Sequence, residues 1–147
     1  MTYHTHADAH DRVRSAITAA EAILGLDLYP AHKRELLSVC IWKVTEAAPM
    51  SKYQTRFQSR ASLSAPESEL AHDHVYQRKR LIDEMIAHPK EVNRILQSAV
   101  ACVVTRWEHD RLTRVSREDP NLDGWERYRH AEIDVVDLEA LQSQPPD

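Results

Sequence analysis

Ala101-Cys102-Val103-Val104-Thr105-Arg106-Trp107-Glu108-His109 joins a short apolar, partly β-branched run to a polar segment with helical spacing. The apolar part reads as a buried strand over 99–105. The remainder reads as the start of a helix running to about Val115, with Trp107 and Leu112 as its anchors. A strand that feeds directly into a helix fixes where the helix begins, so His109 is held rigidly. Some thirty residues upstream, Ala71-His72-Asp73-His74-Val75 places two histidines around a carboxylate, on a segment (70–76) that reads as a short strand or extended stretch. Imidazole and carboxylate groups brought together from two chain segments can bind a divalent metal or carry acid–base chemistry.

Around these two stretches the chain is mostly helical. Val13, Ile17, Ala20, Ile23 and Leu24 have the three-and-four spacing of an amphipathic helix over 7–26. Pro30 interrupts it, and Leu36, Leu37, Cys40, Ile41 and Val44 predict a second helix over 31–47. Two such helices with a short join form an antiparallel hairpin. Leu81, Ile82, Met85 and Ile86 predict a helix over 78–87, and Pro89 opens another that runs to about Ala99. Residues 123–131 suggest a further helix, and 133–138 alternates as a short strand. Residues 51–70 mix bases, hydroxyls and two aromatics without a period, so they read as an irregular connector with at most one short helix. The expected fold class is α+β, mostly helical. The expected layout is one globular domain: a helical hairpin over 1–50 packed on the core, the connector over 51–70, a core over 71–140 with inserted helices and a short C-terminal strand, and a disordered tail over 141–147.

Composition agrees with this and narrows the functions. The 147 residues are 42% apolar and 29% charged, with 2 Gly against 7 Pro. So few glycines argue against a hairpin-rich β fold and for helices separated by proline breaks. No run approaches the roughly 20 apolar residues of a membrane span, and residues 1–10 are too polar for a signal core, so the expected location is cytoplasmic. Cys40 and Cys102 sit in apolar surroundings without CxxC spacing and read as buried, reduced thiols. The net charge of −4 is uneven, because residues 117–147 hold nine acidic and three basic side chains. Mild overall acidity argues against tight non-specific nucleic-acid binding but leaves room for a local basic face.

Asp73-His74-Val75 resembles the Asp-His-hydrophobic opening of the HNH (ββα-metal) nucleases. The stretch from Cys102 to Leu112 is similar to that family's second strand and helix start, which ends in a ligand histidine. The wider span from His72 to Val136, with Gly124-Trp125-Glu126-Arg127-Tyr128, also resembles small uncharacterised actinobacterial proteins with an HNH-like core. The resemblance implies an HNH-like ββα core, with Asp73 and His109 as metal ligands and His74 as general base. It further implies a divalent metal, Mg2+ or Mn2+ with Zn2+ as a third candidate, and hydrolysis of DNA phosphodiesters. The family's base-orienting asparagine has no counterpart, since Val100 or Ala101 stands there. Asn93 on the inserted helix is one substitute. The segment between the two halves is also longer than the family's usual loop.

Basic residues flank these positions. Lys52, Arg56 and Arg60, interleaved with Tyr53 and Phe57, are candidates for phosphate contact, and Arg78 and Lys79 could extend the strip. Plainer readings stand beside each: Asp73 as a helix cap, Glu108 at the positive end of a helix dipole, and the basic stretches as solvated surface. Two alternatives to a DNA-cutting enzyme follow. One is a catalytically inactive HNH-like module that binds nucleic acid or a protein. The other is a homodimer or protein partner engaged through the N-terminal helices, where Ala16, Ala19 and Ala20 permit close approach.

Overall fold

Proline at the first turn and apolar residues three and four apart shape the helical half of the molecule. In the computed structural model, which describes residues 3–49 and 51–144, this part comprises α1 (Ala9–Gly25), α2 (Pro30–Thr45), α3 (Arg78–Ala87) and α4 (Val92–Gln97). Pro89–Glu91 forms a single 3₁₀ turn that leads into α4. These helices enclose their own core. Leu37, Ile41, Met85, Ile95 and Leu96 are completely buried and Ala16, Ile17, Ala20 and Leu81 pack with them. Each large aliphatic side chain of this kind contributes roughly 1.5–3 kcal/mol on removal from water. By their contacts, residues 5–48 and 76–100 form one compact unit. The inserted helices therefore group with the N-terminal hairpin and not with the core expected over 71–140.

The second unit comprises residues 1–4, 49–75 and 101–147, insofar as they are described. It holds a four-stranded sheet of β1 (Phe57–Ser59), β2 (Leu70–His74), β3 (Ala101–Thr105) and β4 (Val135–Asp137), in the order β2-β3-β1-β4. β2 and β3 are antiparallel, pairing His72 with Val103 and Asp73 with Cys102. β1 runs parallel to β3 and antiparallel to β4. The segment read as an irregular connector thus supplies an interior strand, a correction to that expectation. It escapes sequence detection because it is three residues long and bounded by arginines, too short to display a period. Its strand state comes from partners on both sides.

α5 (Arg106–Glu118) follows β3 without a break, α6 (Gly124–His130) comes next, and α7 (Leu138–Gln142) follows β4. Thr105 and Glu108 cap α5 reciprocally: Glu108 N–H donates to Thr105 Oγ1 at 3.3 Å and Thr105 N–H donates to Glu108 Oε2 at 2.8 Å. The buried face of α5 is Glu108, Leu112 and Val115. Trp107, expected as an anchor, is instead 58% exposed. Gly124 opens α6 at φ 62°, a left-handed conformation that suits glycine. Of the tail expected over 141–147, Leu141 and Gln142 belong to α7, because Asp137 accepts from the Glu139 and Ala140 amides and caps that helix. Residues 145–147 lie outside the described residues, as do Met1, Thr2 and Met50. The molecule is mostly helical α+β, and among the described residues no helix is long and apolar enough to cross a membrane.

Candidate functional site

Side chains alternate across a strand, so neighbours on β2 serve different faces of the sheet. Asp73 points to the face covered by α5 and α6, together with its cross-strand partner Cys102 and with Phe57 and Ser59 of β1. His72 and His74 share the other face, their rings 5.5 Å apart and edge-on.

Asp73 is the centre of a buried polar cluster. Its Oδ2 accepts from Arg127 Nη2 at 2.6 Å and from the Tyr128 hydroxyl at 2.5 Å. The same Arg127 nitrogen donates to the carbonyls of His74 at 2.9 Å and Val75 at 3.3 Å, tying down the end of β2. His109 Nε2 approaches Asp73 Oδ1 to 3.7 Å, an ion pair only when the imidazole is protonated. Burial raises the Asp73 carboxyl above its usual range, against the opposing pull of Arg127, the Tyr128 hydroxyl and His109. Burial also raises Tyr128 and Cys102, so both stay protonated near neutrality. Edge-on contacts of Trp125 with Phe57 (5.1 Å) and with Tyr128 (5.2 Å) hold α6 against the sheet. Beside this cluster, Glu108 Oε2 accepts from Ser59 Oγ at 2.6 Å as well as from the Thr105 amide.

The expected site residues are therefore brought together only in part. Asp73 and His109 meet, while His74, the expected base, sits on the opposite face of β2. Arg127 and Tyr128 were not assigned a role from the sequence. An arginine between aromatic residues on a short helix gives no sign of the carboxylate it will meet.

The donor set around Asp73 does not fit a divalent cation. Among the described residues no group of three or more His, Cys, Asp or Glu side chains is placed to hold one, and the Arg127 guanidinium already neutralises the carboxylate. For a divalent ion bound at that carboxylate, repulsion by the guanidinium largely cancels the attraction of the carboxylate, so the pair offers no net pull on a cation.

The basic residues are also largely committed. Arg56 forms a two-pronged pair with Asp137, both contacts at 2.9 Å, and reaches Glu139 at 3.6 Å. Its guanidinium lowers the Asp137 carboxyl. Arg60 pairs with Asp134 at 2.6 Å. Lys52 lies 5.4 Å from the Tyr53 ring. Within the helical unit, Arg78 donates to Ser38 Oγ at 2.8 Å and lies over Trp42, and Lys79 is exposed. The acidic C-terminal stretch thus matches the basic 56–60 segment across the sheet. Both cysteines are buried and free.

No protein-family model, curated protein or solved structure matches this chain. Its function has to be read from its own residues.

Proposed function

We propose that this chain is an HNH-like module without nuclease activity, which binds nucleic acid and does not cut it. The observation that carries this reading is the Arg127 guanidinium 2.6 Å from Asp73, where an HNH nuclease would grip its cation. The kinship is supported by the order of elements. Two antiparallel strands, β2 and β3, are followed directly by α5, with Asp73 on the first strand and His109 on the helix. The loss of catalysis is supported by the commitment of the Asp73 carboxylate to Arg127 and the Tyr128 hydroxyl. The missing asparagine at Val100 or Ala101 points the same way. Binding is supported by the outer face of α5, where Arg106, Arg114 and Arg117 are exposed.

A second reading, a metal-dependent nuclease with His74 as base, draws on the 3.7 Å approach of His109 to Asp73. It requires Arg127 to leave the carboxylate. Supercoiled plasmid incubated with the protein and Mg2+ or Mn2+ separates the two. The expected outcome is retardation on a gel at low salt, lost as salt is added, with no nicking. Nicking by the wild type that disappears in His74→Ala would establish the enzyme instead, and absence of retardation at the lowest salt would remove the binding claim.

A further inference from the structure

Trp107 is the largest side chain in the protein's repertoire, yet it stands 58% exposed in the first turn of α5. Tryptophan is among the most buried residue types on average, and one left in water marks a contact surface more often than a neutral position. Its ring is not left loose. Arg111, one turn on, lays its guanidinium 4.8 Å from the ring centroid, and Arg111 itself donates to the Ala131 carbonyl. The indole is thus propped by a side chain that is anchored elsewhere in the same unit.

Beside Trp107 lies an open pocket of about 490 Å³, within the range of small-ligand sites. Ala61, Ala65 and Pro66 give it an apolar wall, Glu69 supplies a carboxylate, and Arg106 and Trp107 line it from α5. At 100° per residue, Arg106, Trp107, Arg111, Arg114 and Arg117 fall on one side of that helix, over about 17 Å of its length. Asp110 and, at the end of the helix, Glu118 are the acidic side chains on that side. Among the described residues, Arg106, Arg114 and Arg117 form no ion pair, in contrast to Arg56 and Arg60.

We infer that this face binds a single-stranded nucleic-acid segment, with an unpaired base seated in the pocket against Trp107 and the flanking phosphates on the arginines of α5. This rests on the nucleic-acid reading above and specifies its ligand. A paired base offers no ring face to an indole, whereas every unpaired base does. The Glu69 carboxylate can accept from the N–H groups on a base edge. The row of arginines selects a polyanion over a neutral or proline-rich peptide.

Fluorescence anisotropy of fluorescein-labelled 12-mer DNA, single-stranded and duplex, tests this on the full chain at low salt. Single strands are expected to bind at least tenfold more tightly than duplex. Trp107→Ala, an exposed change that leaves circular dichroism and melting temperature unaltered, is expected to weaken single-strand binding roughly tenfold and leave duplex binding as it was. Arg114→Ala is expected to reduce the single-strand salt slope by about 0.7. Equal binding of both forms, with no effect of Trp107→Ala, would overturn this site and leave the nucleic-acid reading standing. No binding of either form would remove both. An acidic peptide that displaces the strand at equal concentration would reduce the face to a general anion patch and overturn the proposal.

Discussion

A carboxylate oxygen that already accepts from an arginine and a phenol has little left to offer a metal. At Asp73 the physical consequence is a neutralised, buried pair that fastens α6 to the end of β2. Such pairs add little net stability, because desolvation offsets their attraction, but removing one partner typically costs about 3–5 kcal/mol. Across the strand, His72 follows different physics. Burial, and then the charge of Lys52, lowers its pKa from 6.5 to about 4. The unfolded chain therefore binds a proton between pH 6.5 and 4 that the folded protein does not. The neutral imidazole's contribution is complete above pH 6.5 and is lost as pH falls toward 4, to a limit of roughly 3 kcal/mol. In urea melts across this window, the wild type is expected to lose more stability than His72→Gln. Equal losses would show that another group is responsible. Asp73, His74 and His109 were legible as polar residues in apolar company. Which of them would meet was not, because adjacent strand residues face opposite ways and the decisive partners, Arg127 and Tyr128, lie more than fifty positions away in sequence.

Among the elements, β3 and α5 were the most legible and β1 the least. β3 carries its own signal in the run of six apolar residues from Ala99 to Val104, closed by Thr105. Arg78–Ala87 coincides with the expected helix because its apolar spacing and the proline after it leave few alternatives. β1 has no such signal and becomes a strand only through its pairings with β3 and β4. The junction of β3 and α5 contains a sign that was readable, the Thr105-x-x-Glu108 capping box, although Glu108 reads at first only as a charge near a helix dipole. Because Glu108 also receives the Ser59 hydroxyl, it connects the interior strand to the helix start. Glu108→Ala leaves the Ser59 hydroxyl and the Thr105 amide buried without that acceptor, and is expected to cost about 2–3 kcal/mol. Glu108→Gln, which keeps one acceptor oxygen, is expected to cost less. A Glu108→Ala protein whose urea midpoint matches the wild type would refute this role.

At the scale of the molecule, sequence order conceals how the chain is partitioned. Residues 76–100 interrupt the stretch that builds the sheet and join the helices of residues 5–48 through a shared core. Apolar periodicity says that α3 and α4 bury a face, but not against what. Charge patterning is similar: the sequence shows an acidic excess over 117–147 but not its partners, and Asp134 and Asp137 neutralise the arginines of the 56–60 segment. The outer face of α5 keeps exposed arginines that, among the described residues, form no ion pair, and the proposed ligand is placed there. The non-catalytic reading depends on Arg127 taking the place of a cation beside Asp73. A Mn2+ titration of the full chain, followed by electron paramagnetic resonance, tests that substitution most directly. The account predicts that the signal of the free ion persists through the first equivalent; one tightly bound Mn2+ that is released in both Asp73→Asn and His109→Ala would contradict it.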